Sequence, residues 1–179
     1  MGNSNPLIFL IDTLFSLYIG ALLLRFLLQI ARADFYNPIS QFLVKITNPP
    51  LVPLRRIIPS IRSIDTASLV LILGLIISKV VLISLLNSAP LQPIALLLFA
   101  IVEFISLVLN LFFYSIILQA VLSWIQPSAY SPVQGILHGL NEPLLRPVRK
   151  VIPAIGGFDL SPIVVLLAIG VLQRFLYLF

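Results

Sequence analysis

Residues 48–59 read NPPLVPLRRIIP, and the chain says nearly the same thing again from Glu142, as EPLLRPVRKVIP. Pro49, Pro53, Arg55, Ile58 and Pro59 recur as Pro143, Pro147, Arg149, Ile152 and Pro153. Carried outward without a gap, the same offset of 94 residues matches Tyr36 with Tyr130, Pro38 with Pro132, Leu43 with Leu137, Ile61 with Ile155 and Asp65 with Asp159. A tandem duplication constrains the fold more than any local propensity, because whatever one copy forms the other must form too. The period is too long for a solenoid, so each copy is a structural unit, residues 1–93 and 94–179. Two such units commonly face one another about a pseudo-symmetry axis.

The two copies of the proline and arginine stretch lie between long apolar segments. With 60% hydrophobic residues, 9% charged residues and a mean hydropathy of +1.13, the sequence predicts an all-α polytopic membrane protein. Four spans are expected, at about residues 7–31, 66–86, 94–125 and 160–179, each at least the ~20 residues that cross a ~30 Å hydrocarbon core, and the third, longer than one bilayer needs, should tilt or project. The absence of cysteine excludes disulfides, thiol chemistry and Cys-ligated metal. The opening MGNSNP holds no Lys or Arg, so the first apolar run lacks the basic flank of a signal peptide, and Pro6 breaks a myristoylation pattern.

Between the spans of each copy the pattern changes. Asn37 is placed to cap a helix that begins at Pro38, whose fixed φ suits a first helical position. Ile39, Phe42, Leu43 and Ile46 then recur at helical spacing, as Val133, Ile136, Leu137 and Leu140 do after Ser131 and Pro132. Ten or so residues are too few for a soluble cap domain, so these read as amphipathic helices lying in the membrane interface. Pro49 is expected to end the first at Asn48. Pro53 should open a separate short turn, Leu54 to Ile58, that Pro59 closes. Asp65 and Asp159 are expected N-caps of the second and fourth spans, where a negative side chain also suits the helix dipole.

The basic residues Lys45, Arg55, Arg56, Arg146, Arg149 and Lys150 gather in these two connections, with Arg32 and Arg62 beside the first. Both termini and the turn at Asn87 hold none, so the positive-inside rule puts both connections in the cytoplasm and both termini outside. The copies then share one orientation. The six basic residues are candidate contacts for anionic lipid headgroups, each worth on the order of 1 kcal/mol near an anionic surface, or for a protein partner. They form no nucleic-acid stripe.

The doubled proline and arginine stretch, the preceding DFYNPISQFL segment and the Asp that opens the next helix resemble the YggT family of small integral membrane proteins. The residues that carry the likeness are Asn37, Pro38, Asn48, Pro49, Pro53, Arg55, Pro59 and Asp65 in the first copy. In the second they are Pro132, Pro143, Pro147, Arg149, Pro153 and Asp159. There Arg25, Asp34, Asn37 and Asn48 give way to Gln119, Ser128, Ser131 and Glu142, so the copies are not expected to be functionally equal. The resemblance implies a multi-pass protein of the bacterial inner membrane without established chemistry. Bacterial members are linked to osmotic-stress tolerance or cation uptake and to cell division, chloroplast relatives to cytochrome assembly and nucleoid organisation.

The sequence holds no HExxH, GxSxG, P-loop or dinucleotide fingerprint. Its one histidine, His138, fits an interfacial polar position better than a catalytic one, and Tyr36, Trp124 and Tyr130 fit an aromatic belt. No enzyme, cofactor or metal is expected. Five ionisable residues fall inside the expected spans: Asp12, Arg25, Lys79, Glu103 and Arg174. At ~1.5 Å per residue, Asp12 and Arg174 lie roughly 7 Å from the outer ends, Lys79 about 10 Å and Glu103 about 13 Å. Unpaired charge in lipid is costly, so Asp12 or Glu103 should meet Lys79 or Arg174, while Arg25 should reach headgroups or helix-end carbonyls. Two functional readings follow. One is a non-enzymatic organiser that assembles other envelope proteins, and the other is a small transporter or channel component for a cation such as potassium. Partners expected are lipid headgroups and other membrane proteins, with a homo-oligomer open.

Overall fold

The computed structural model describes residues 5–61, 64–125, 131–152 and 159–176, with the Trp124 side chain left aside. Arg62, Ser128, Tyr130, Pro153 and Ile155 of the readings above lie outside them. Six helices follow in order: α1 Pro6–Ile30, α2 Pro38–Ile57, α3 Thr66–Leu86, α4 Pro93–Ile125, α5 Pro132–Val151 and α6 Ser161–Leu176. Among the described residues no strand forms; Ile61 and Ile64 make one isolated bridge.

Local chemistry sets the helix ends. Asn5, Asn37, Asp65 and Ser131 each accept a backbone N–H of the helix they precede, and Pro6, Pro38 and Pro132 fill first positions where no amide is needed. At the end of α1, Arg32 takes a left-handed φ of 52°, and Ala33 donates back to the Leu28 carbonyl at 2.9 Å. Ser88 repeats this after α3, with Ala89 donating to Ser84 at 2.9 Å.

Three helices, α1, α3 and α4, are long and apolar enough to cross a membrane. The fourth expected span is described as the 16-residue apolar helix α6, beginning at Ser161 rather than Leu160.

The expected break at Pro49 does not occur. α2 runs unbroken through Pro49, Pro50 and Pro53, and α5 through Pro143 and Pro147, so each amphipathic helix and its arginine turn form one helix of 20 residues. A proline inside a helix frees the carbonyl four residues earlier, and that group needs another donor. Pro50 frees the carbonyl of Ile46, which accepts the Tyr18 hydroxyl of α1 at 3.4 Å. In the second copy Leu144 stands at the position of Pro50 and Phe112 at that of Tyr18, so the extra proline and the hydroxyl go together.

The long helices pack α1 on α3, α3 on α4 and α4 on α6 in a row, bent so that α1 also touches α4, where Phe26 meets Phe104 edge-on. α2 and α5 lie across one end of the row and touch each other. The main core, including Leu22, Leu23, Phe26, Ile72 and Ile76, joins α1, α3 and α4 to both hairpin helices. A smaller one, Ile116, Leu145, Val165 and Ile169, binds α5 and α6 to α4. The hairpins meet closely. Asn37 donates to the Pro132 carbonyl at 2.7 Å, and a Cβ on Gly139 would stand 3.0 Å from that of Ala33.

Candidate functional site

The polar side chains of the row and its hairpins form three sets of contacts, and each set occurs twice at the repeat offset.

The first joins each hairpin helix to the start of the next long helix. Arg55, in the last turn of α2, bonds Asp65 through Nε at 3.1 Å and through a closer Nη2 contact. Asp65 is 1% exposed in its side chain and also accepts the Ser68 hydroxyl at 2.5 Å. Burial opposes its ionisation, but hydrogen bonds from Arg55 and Ser68 outweigh that and hold the carboxyl below the usual carboxylate value. In the second copy Arg149 bonds Asp159 at 2.8 Å and Glu142 at 2.7 Å, and Asp159 accepts from Ser161. Burial again works against the charges. The contacts to Asp159 and Glu142 nevertheless raise Arg149, and those from Ser161 and Arg149 lower Asp159. Glu142 stands where the first copy has Asn48, so Arg149 has two acids and Arg55 one.

The second set ties the inner part of the first long helix of each copy to its hairpin. Arg25 turns into the protein. It is 6% exposed, donating to Thr47 Oγ1 at 2.5 Å and to the Val44 carbonyl at 3.5 Å. The neutral counterpart is Gln119, whose amide oxygen accepts from Asn141 at 2.7 Å, while Asn141 accepts the Ser115 hydroxyl at 2.7 Å. A guanidinium in one copy and three neutral groups in the other do the same joining.

The third set lies toward the far end of the row. Lys79 Nζ of α3 is 3.2 Å from Asp12 and 3.3 Å from Ser16 on α1, and 3.9 Å from Glu103 on α4. One lysine thus serves both expected acids and links the two copies. Arg174, the other expected base, has no acid within 4 Å among the described residues and is exposed near the end of α6. Gln173 occupies the position of Lys79 and donates to Asn110 at 3.0 Å; Asn110 donates to Ser106 at 3.4 Å.

These contacts divide the basic residues. Arg55 and Arg149 turn inward, whereas Lys45, Arg56, Arg146 and Lys150 are exposed. Beside Arg56 and Lys150 stand Ile57 and Val151, 80% and 79% exposed, an apolar residue next to a basic one at equivalent positions. His138 is exposed and sits 3.8 Å from Glu142. Among the described residues no three His, Cys, Asp or Glu side chains gather as metal ligands. Sequence reasoning missed the bonds of Thr47, Ser115, Gln119 and Asn141; the signal was a polar residue in both copies at Thr47/Asn141 and Arg25/Gln119, whereas Ser115 stands opposite Ala21 and gave none.

The fold and these doubled contacts define an all-helical chain of two like halves, with several long apolar helices compatible with a membrane protein. Comparison with known proteins is specific about kinship. The CCB3/YggT family model matches residues 4–86 and again 98–179, and the chain belongs to that family. It is 44% identical to the Pseudomonas aeruginosa protein PA0392, over 97% of this chain and 89% of that one. It is also 44% identical to a Vibrio alginolyticus protein encoded in the proC 3′ region, over 92% and 90%. To Escherichia coli K12 YggT it is 42% identical, over 94% and 88%. No solved structure matches.

Proposed function

We propose that this chain is a non-enzymatic, four-span protein of the bacterial inner membrane whose two hairpins form one cytoplasmic surface for organising or assembling envelope proteins, in support of osmotic-stress tolerance. The supporting observation is the division of basic residues. Arg55 and Arg149 are spent on internal pairs, while Arg56 with Ile57 and Lys150 with Val151 face outward at equivalent places. A basic residue beside an exposed apolar one suits the boundary between headgroups and acyl chains, or a partner docked there. Helix α6 as described is apolar and about 24 Å long, close to the thickness of a hydrocarbon core, which supports a fourth span.

A second reading, a small cation transporter or channel component, draws on Asp12 and Glu103, two acids against the single Lys79. Its weakness is that Ser106, Asn110 and Gln173 join the equivalent helices without charge. A cluster whose mechanical part is done by neutral groups is better explained by holding than by conduction.

The test is cross-linked affinity purification from native membranes, with osmotic-shock survival scored in the same strains. Arg56→Gln with Lys150→Gln should leave the protein inserted and thermally unchanged but lose a stoichiometric partner and survival. Arg55→Gln with Arg149→Gln should lower stability first. Absence of any defined partner, with cation flux by wild type in proteoliposomes, would favour transport instead.

A further inference from the structure

The row of long helices ends in two faces that no part of the described chain covers, and the duplication identifies what fits them. On α3 the residues Leu69, Ile72, Leu73, Ile76, Ile77 and Val80 form one stripe at helical spacing, with Ile72 and Ile76 0% exposed. α4 packs on α3 and shares one core with Ile72 and Ile76. The other neighbours of α3 are α1 and α2, and these have counterparts beside α6, namely α4 and α5. The equivalent stripe on α6 lacks that cover. Ile163, Leu166, Leu167, Gly170, Val171 and Arg174 line an open groove of about 480 Å³, deepened where Gly170 replaces Ile76.

The other side of the same junction is also repeated. α4 brings Ala100, Phe104, Val108 and Leu111 to the core. Their equivalents on α1 are Pro6, Leu10, Leu14 and Leu17, and the three leucines are 52–68% exposed. Among the described residues α1 and α6 do not touch, so these faces do not meet within one chain.

We propose that α6 of one copy seats α1 of a second copy of this chain, a head-to-tail contact that reproduces the α3–α4 junction between molecules. Arg174 supports this occupant over lipid: it lines the groove and is exposed, and a guanidinium set among apolar side chains is costly against acyl chains. A contact of this kind is heterologous, so it closes into a ring or continues as a row. It does not depend on the organising role proposed above.

The chain has no cysteine, which makes the test direct. Leu167→Cys and Leu14→Cys are introduced into two differently tagged, co-expressed copies, and membranes are treated with a short bismaleimide. The mixed pair should cross-link, matched pairs should give only background, and one chain carrying both should give a ladder. Gly170→Phe should abolish the product with melting unchanged, because a Cβ at 170 meets nothing within 4 Å in its own chain. A matched Leu167→Cys product would overturn the proposal by making the contact two-fold. Monomers alone would overturn it by leaving both faces to lipid, as would a Gly170→Phe variant that cross-links like wild type.

Discussion

Gln173 of α6 donates a hydrogen bond to Asn110 of α4 at 3.0 Å, in the positions that Lys79 and Ser16 hold on α3 and α1. One backbone arrangement is thus closed by charge in one half and by neutral groups in the other. The same chain contains an uncharged solution to its own buried-charge problem.

That solution can be transplanted. Lys79→Gln alone leaves Asp12 and Glu103 without their base and should destabilise by about 2 kcal/mol or more, since an orphaned charge away from water is the costly outcome. Glu103→Gln should cost less, because Asp12, the nearer acid, keeps Lys79. Replacing Asp12, Ser16, Lys79 and Glu103 together by Ser, Asn, Gln and Gln should restore most of the loss in a detergent melt. A quadruple variant as unstable as Lys79→Gln would contradict a structural role.

The Arg25 contact allows an independent exchange. Arg25→Gln should lower stability by about 2–4 kcal/mol, leaving Thr47 and the Val44 carbonyl without their donor. Adding Ala21→Ser and Thr47→Asn copies the Ser115, Gln119 and Asn141 set and should recover much of it. Additive losses in the melting temperatures would show that the two halves are not interchangeable there.

Acid sensitivity should concentrate at the hairpins. Asp65 and Asp159 are held below their usual carboxylate values. Their contribution is therefore complete above the unfolded value of about 4 and is lost as pH falls through the lower folded value. The melting temperature should drop across that window. Asp65→Asn with Asp159→Asn should start lower and fall less steeply, and an unchanged slope would contradict the assignment.

Much of this architecture was legible in the residues. The duplication, the caps at Asn37, Asp65 and Ser131, and the extent of α3 follow from pattern and capping chemistry. The continuous α2 was not legible, because Pro49 and Pro53 read as breakers in sequence; only for Pro50 does the structure show a partner for the freed carbonyl, and that partner, Tyr18, lies 28 residues from Ile46. The inward turn of Arg55 was equally hidden. Adjacent arginines look alike in sequence, and only the fold puts one of them against a buried Asp65.

The proline account carries its own check. Tyr18→Phe should cost about 0.5–1.5 kcal/mol by orphaning the Ile46 carbonyl. It should cost nothing once Pro50→Leu restores the helical amide, the combination the second half already uses. Equal losses in both backgrounds, measured by denaturation, would contradict it.

The central claim, two like-oriented halves with both hairpins on the cytoplasmic face, is tested most directly by cysteine labelling in the naturally cysteine-free chain. Single cysteines replace Lys45, Arg146 and Asn87, all exposed, and a membrane-impermeant maleimide is applied to intact spheroplasts. The account predicts labelling at position 87 in intact spheroplasts, and at 45 and 146 only after the membrane is opened. Labelling of 45 and 146 from opposite sides, or of 87 only from the cytoplasm, would contradict it.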